Sequence, residues 1–378
     1  MRLYDTRTRQ VGDFHAGRTV RLYVCGITPY DSTHLGHAFT YTAFDTLTRW
    51  LEHRGHRVIS VRNITDVDDD ILRKSRELGM DSSELAHREV ARFDRDLAGL
   101  GLRPPDAAPR ATQTVPAIVQ AVRGLVAGGH AYVVDGGRVY FDTARAGRFG
   151  ELSGLGRDTM LAEFAEKGGD PEAPGKRDPL DFLLWQPSAG GEPAWDSDWG
   201  PGRPGWHIEC SVMAAEHLGA VVDIHGGGSD LVFPHHSAEM LQAESLSGQG
   251  PFARIWMHVG MVALDGVKMS KSLGNLVFVS DLLERFESGA VRRYLLAHHY
   301  RQGWSYDDAD LDEAAAGYKR WRDAAGRDGR RDDLAARFAA AMDDDLDTPA
   351  AIATLDEAAA AGAGATLRDL AAVLGFTL

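Results

Sequence analysis

Apolar runs broken by turn residues predict an α/β fold for this 378-residue chain. Thr19 to Val24 reads as a buried strand, followed by a turn at Thr28-Pro29-Tyr30-Asp31 and a helix beginning near Ser32 or Thr33. Phe44, Leu47 and Leu51 fall at helical spacing, Gly55 ends that run, and a second strand follows over Val58 to Asn63. Strand, helix and strand in quick succession make a βαβ unit, which implies a parallel sheet with its ligand at the carboxyl ends of the strands. Cys25 and Thr65 lie at such ends.

The pattern is helical from about Asp69 to Gly129. It then becomes irregular as far as Gly200, with runs such as Glu166-Lys167-Gly168-Gly169-Asp170-Pro171. This stretch reads as an insertion between two halves of one nucleotide-binding domain. A strand over Ala220 to His225 leads into Gly226-Gly227-Gly228-Ser229-Asp230, and another over Arg254 to Val259 precedes Lys268-Met269-Ser270-Lys271-Ser272. Beyond Val279 the chain is helical and alanine-rich. The expected organisation is a Rossmann-like domain over residues 1–275, split by an insertion at about 100–200, and a helical C-terminal domain over 276–378.

Composition narrows the class. With 44% hydrophobic and 25% charged residues the chain is an ordinary globular protein. It has neither a long uncharged apolar stretch nor an apolar signal-peptide core after Met1, so a cytoplasmic location with no membrane partner is expected. A net charge of −14 argues against a broad surface for a nucleic-acid backbone.

The two cysteines, Cys25 and Cys210, each share a motif with a histidine: Cys25-Gly26-Ile27-Thr28 precedes His34-Leu35-Gly36-His37, and Trp206-His207-Ile208-Glu209-Cys210 holds the other. One disulfide is open to them, but a large non-secreted chain favours metal binding or catalysis. With His235 and Glu239 they offer two thiolates, an imidazole and a carboxylate to one zinc ion. His34-Leu35-Gly36-His37 opens a helix after a strand, where backbone N–H groups, the helix dipole and two imidazoles meet a phosphate; taken alone it is also a pair of capping histidines. Lys268 and Lys271 sit in a glycine-bearing loop and suit a polyphosphate. Asp66, Asp68, Asp69 and Asp70 fit either a magnesium site or an acidic helix start.

His-x-Gly-His followed by Lys-Met-Ser-Lys-Ser resembles the two signatures of class I aminoacyl-tRNA synthetases. The resemblance implies that His34, His37, Lys268 and Lys271 stabilise the transition state as a carboxylate attacks the α-phosphate of ATP. Within that class, Cys25, Cys210, His235 and Glu239 match the zinc ligands of the cysteinyl-tRNA synthetase family. One zinc ion would thus bind the substrate thiolate, and ATP would enter with Mg2+. A closed zinc site that only holds the fold is the bland reading, but its ligands usually come in short-spaced pairs. The same resemblance assigns the cysteinyl-adenylate pocket to Cys25, Gly26, Ile27, Thr28, Thr40, Asn63, Ile64, Thr65, Trp206, Gly228, Ser229, Asp230 and Val262.

The acceptor is read from other strings. From Ala335 onward, basic Arg337 and Arg368 face acidic Asp343, Asp344, Asp345, Asp347, Asp356, Glu357 and Asp369, unlike a module that grips an anticodon. Cys25-Gly26-Ile27-Thr28-Pro29-Tyr30-Asp31, Arg157-Asp158-Thr159-Met160-Leu161 and Asp344-Asp345-Leu346-Asp347-Thr348-Pro349 closely resemble the actinobacterial ligase family of mycothiol biosynthesis. That likeness implies transfer of cysteine to the amine of glucosaminyl-inositol, with ATP going to AMP and pyrophosphate. Its partners would be L-cysteine, ATP and an amino-sugar, without tRNA, acting on a monomer. Glu239 and Lys167 depart from that family's pattern. A cysteinyl-tRNA synthetase-like enzyme, a ligase for another amino-sugar and a non-catalytic nucleotide- or thiol-binding paralogue remain as alternatives.

Overall fold

The computed structural model describes residues 1–30, 33–269 and 274–378, and of Lys268 the backbone alone. Four parallel strands form the central sheet in the order Ala253–Val259, Val222–Gly228, Thr19–Ile27 and Arg57–Ile64. Thr19–Ile27 is buried on both faces: Val20, Leu22 and Val24 enter one core while Tyr23 and Cys25 enter the other. That is why it reads as a continuous apolar run. From this strand the sheet first grows to one side, through Arg57–Ile64, and later to the other, through Val222–Gly228. The crevice between Thr19–Ile27 and Val222–Gly228 is therefore a topological switch point, where open α/β sheets bind ligands.

One core packs Leu35–His53 with the C-terminal helices Ser288–Leu296, Asp308–Ala325, Thr348–Ala360 and Gly364–Val373. The other packs Ala111–Ala127, Trp206–Leu218 and Ser237–Ser247 against the opposite face of the sheet. The irregular stretch contains an antiparallel sheet of Ala131–Val133, Val139–Phe141, Leu183–Pro187 and Gly202–Pro204. Strands of three to five residues are too short for alternation to reveal. Within the C-terminal helical region, Trp304–Tyr306 pairs with Val262–Leu264, which also pairs with Val267–Lys268. Among the described residues no helix is long and apolar enough to cross a membrane.

A buried ion pair joins the two parts of the chain. Arg292, 1% exposed, places Nη2 2.5 Å from Asp45 Oδ2 in Leu35–His53, donates from Nε to the Leu374 carbonyl at 2.6 Å, and reaches Leu100 O. Arg49 Nε donates to the same Asp45 oxygen at 2.8 Å. Burial alone would raise the Asp45 carboxyl, but Arg292 and Arg49 more than offset it and hold it below its ordinary value. The ionised form is thus favoured by folding. The stabilisation is complete above the ordinary carboxylate pKa and falls away as pH drops through the depressed folded value. Asp45→Asn, which leaves the Arg292 charge buried without a counter-ion, is expected to cost about 3–5 kcal/mol in urea unfolding at pH 7. The gap should begin to narrow below about pH 4, where the carboxylate of the unfolded chain takes up a proton, and close as pH falls through the depressed folded value; a loss under 1 kcal/mol at pH 7 would contradict the role given to this pair.

Candidate active site

The site starts from a distortion in Thr19–Ile27. Its register against Arg57–Ile64 shifts between Val24 and Ile27, and the Gly26 N–H donates to Asn63 Oδ1 at 2.8 Å. The two backbones approach so closely that a Cβ on Gly26 would lie 1.6 Å from the Asn63 carbonyl oxygen. Only glycine fits there. The distortion leaves Cys25, 4% exposed, at the switch point, with its carbonyl accepting from Tyr41 O–H at 3.2 Å.

Around Cys25 the fold gathers the four residues expected to hold a metal. Donor atoms of Cys25, Cys210, His235 and Glu239 all lie within 4.8 Å of one another and all four residues are buried. Trp206–Leu218 carries Cys210, the turn Val232–His236 carries His235, and Ser237–Ser247, which follows that turn, carries Glu239 in its first turn. His235 Nε2 is 3.0 Å from Glu239 Oε1, while its Nδ1 meets His207 Nδ1 at 2.9 Å. A second set, Cys25, His225, His236 and Glu239, satisfies the same distance limit. His236 Nε2 is 3.2 Å from Cys25 Sγ, and its Nδ1 meets His258 Nε2 at 2.7 Å. His258 Nδ1 in turn meets Thr6 Oγ1 at 2.7 Å.

Burial pushes both thiols and the Glu239 carboxyl up, and pushes His235 and His236 down. His207, His225 and His258 fall to about 3 for the same reason. Among the described residues Glu239 Oε2 makes no hydrogen bond, although His225 Nε2 lies 3.3 Å from it. Two sulfurs, an imidazole nitrogen and a carboxylate oxygen in a dry pocket are a donor set that fits zinc.

Above the cluster a cavity of about 620 Å3 is lined by Cys25, Gly26, Ile27, Thr28, His34, His37, Thr40, Trp206, Gly228, Asp230 and Val262, all expected there, and by Tyr30, Tyr41, Asp70, Arg73 and Met261, which were not. Asn63, Ile64, Thr65 and Ser229 do not line it. Asn63 and Thr65 stand behind the wall: Asn63 holds Gly26, and Thr65 Oγ1 donates to the Ile27 carbonyl at 3.1 Å and meets Thr28 Oγ1 at 2.9 Å. Ile64 is drawn away through its N–H to Pro109 O, and Ser229 opens the turn Ser229–Leu231. Lys271 lies outside the described residues, as does the Lys268 side chain.

The helix Leu35–His53 is capped by His34, whose Nδ1 accepts from the Gly36 N–H at 3.1 Å, and the Leu35 N–H goes to Val277 O. Those two N–H groups are thus committed. The His34 and His37 rings stack with centroids 3.7 Å apart. Trp206 stacks on His235 at 4.0 Å, so one indole covers the metal-type cluster and faces the cavity.

The aspartates prove to be a helix start. Asp68 caps Asp69–Leu78, Asp66 accepts from Thr112, Asp69 pairs with Arg203, and Asp70 with Arg73. Sequence reasoning missed His225, His236 and Glu209. His236 is the second histidine of Phe233-Pro234-His235-His236, and His225 ends an apolar run just before three glycines, so both carried a signal. Glu209 is fully buried with neither carboxyl oxygen hydrogen-bonded, and burial pushes its carboxyl up strongly.

Comparison with known proteins agrees with this geometry. Residues 13–316 match the family of the tRNA synthetases class I (C) catalytic domain. An L-cysteine:1D-myo-inositol 2-amino-2-deoxy-alpha-D-glucopyranoside ligase of Thermomonospora curvata is 48% identical over 372 residues, spanning 96% of this chain and 89% of its own. A ligase of the same name from Thermobispora bispora is 46% identical over 386 residues, spanning 100% and 96%. Among solved structures, Mycobacterium tuberculosis methionyl-tRNA synthetase in complex with methionyl-adenylate superposes with a TM-score of 0.67 at 17% identity, covering 94% of this chain and 89% of that one. At that identity the likeness speaks for the fold alone. With a Rossmann-like sheet, a His-x-Gly-His helix cap and a family match over most of its length, the chain belongs to the family of the class I (C) tRNA synthetase catalytic domain.

Proposed function

We propose that this protein is an ATP-dependent ligase that activates L-cysteine as cysteinyl-AMP and transfers it to the amine of 1D-myo-inositol 2-amino-2-deoxy-alpha-D-glucopyranoside, releasing AMP and pyrophosphate in mycothiol biosynthesis. The observation that carries it is the double membership of Cys25. It belongs to a buried cluster of two sulfurs, an imidazole and a carboxylate, and also to the wall of the cavity that the His-x-Gly-His helix caps. An amino acid whose side chain enters that cluster presents its carboxylate toward His34 and His37.

Cys25, Cys210, His235 and Glu239 are the set we assign to zinc, because two thiolates suit it better than the alternative set with one. When bound, zinc supplies a Lewis acid that takes a thiolate far better than a hydroxyl, which separates cysteine from serine where a small apolar pocket could not. His207 orients His235 from outside, and Trp206 closes the cluster to water. His34 and His37 face the α-phosphate of ATP, which enters with Mg2+. Asp230 faces the ribose, and Gly228 gives its carboxylate room, since a Cβ there would lie 2.6 Å from Asp230 Oδ1. Lys268 and Lys271 are assigned to the leaving pyrophosphate.

Two measurements test the reading. Cys210→Ser should lose bound zinc by metal analysis and, with it, about 100-fold or more of cysteine-dependent pyrophosphate exchange; stoichiometric zinc in this variant would remove Cys210 from the ligand set. Offered tRNA and glucosaminyl-inositol side by side, zinc-loaded protein should release AMP with the amino-sugar. Turnover with tRNA alone would replace this function by a tRNA ligase.

A further inference from the structure

Beside the first cavity lies a second of about 500 Å3, and the two share Thr28, Asp70 and Trp206. Apart from Thr28, Trp206 and His207, no residue given a role in the proposed reaction lines it. It is built between the antiparallel sheet of the inserted segment and the start of Asp69–Leu78, so the insertion exists in part to wall it. Its volume suits a ligand of disaccharide size.

We propose that this chamber binds the second substrate as a neutral polyhydroxylated chain bearing one amine, an inference that rests on the ligase reading above. Its charges are mixed. Asp69 and Asp170 stand against Arg138 and Arg203, so the lining matches neither a polyanion nor a polycation but many hydroxyls, each donating and accepting. Arg203 is 5% exposed and lines the chamber, its guanidinium held in place by Asp69 at Nη2 and by Glu192, whose Oε2 lies 3.5 Å from Nε. Phe182 and Trp206 add apolar wall for the C–H faces of a ring.

Orientation follows from the shared boundary. Of the aspartates that line the chamber, Asp70 stands on the boundary shared with the first cavity, which places the amine end of the ligand there. Trp206 and Thr28 at that mouth are also beside the cysteine subsite, Trp206 through its stack on His235 and Thr28 three positions after Cys25. The neutral amine thus arrives next to the carbonyl it attacks, forming the amide bond as the carbonyl–AMP bond breaks; AMP leaves with that bond's electron pair and the proton lost from the nitrogen passes to solvent. Lys167 fixes this boundary: its Nζ donates to the Phe233 carbonyl at 2.6 Å and the Asp230 carbonyl at 3.1 Å, tying the inserted helix Arg157–Glu166 to the loop before His235.

The test separates the two half-reactions. Ala173→Trp fills the chamber and Arg138→Met removes donors from its wall, both away from the cysteine cluster and the helix cap. Each should keep cysteine-dependent pyrophosphate exchange within about twofold of wild type, which also reports that it folds. Each should raise the KM for glucosaminyl-inositol in AMP release by about tenfold or more, as expected for a lost hydrogen bond or a filled pocket. If both exchange normally and keep a wild-type KM, the chamber is not the acceptor site. If wild-type protein exchanges but releases no AMP with the amino-sugar, the acceptor reading itself falls, and the chamber's assignment with it. Loss of exchange in Ala173→Trp would place the bulk in the cysteine site and overturn the separation of the two cavities.

Discussion

The site depends on a contact between two backbones. Gly26 approaches Asn63 so closely that no side chain fits, and the Asn63 amide oxygen accepts the N–H that the shifted ladder leaves over. Sheets bear such irregularities where they re-aim a side chain. Here the side chain is Cys25. An undistorted strand would continue the alternation and place the following residues in the opposite core. The shift instead keeps Cys25 at the switch point, reachable from the Trp206 helix on one side and the Glu239 helix on the other.

Electrostatics explains why the cluster is more than a packing solution. Burial favours the uncharged form of every group in it, so thiols, carboxyl and imidazoles are all held neutral in the absence of a cation. A divalent ion reverses that balance, since the same low dielectric that penalises a lone thiolate strengthens its bond to a positive centre. The outer histidines do not compete for protons: with His207 and His258 at about 3 they are neutral near pH 7, and each orients a ring that faces the cluster.

Much of this was legible in the sequence. Strands and helices of the βαβ unit carry strong periodicity because they are buried on defined faces, and cysteine, histidine and tryptophan are scarce enough that their motifs stand out. Short-range chemistry was harder to read. Asn63 and Thr65 were expected in the pocket and stand behind it, because residue type does not tell which way a side chain points once a ladder shifts register. His225 was overlooked since it ends an apolar run that a core explains equally well, and His236 since its neighbour His235 already filled the role of imidazole ligand. The inserted sheet escaped for a different reason: its strands are shorter than one period of evidence requires.

The acidic C-terminal stretch shows how a charge pattern can be informative for a reason other than the one first attached to it. Its excess of carboxylates argues against a surface for RNA, yet several of them are bound inside the molecule. Asp345 accepts from the Tyr4 N–H, from Tyr300 O–H and from Arg301, Asp343 accepts from Trp50 Nε1, and Asp356 takes both Arg293 and Trp321 Nε1. Two of those partners, Tyr4 and Trp50, belong to the short N-terminal strand Arg2–Asp5 and to the helix Leu35–His53. With Arg292 reaching Asp45 from the other direction, the helical region is pinned by charge to the back of the helix whose front end His34 caps. A helix held at its middle by Arg292 and near its far end by Asp343 keeps its N-terminus aimed, so the helical region fixes the element whose His34 cap lines the cavity.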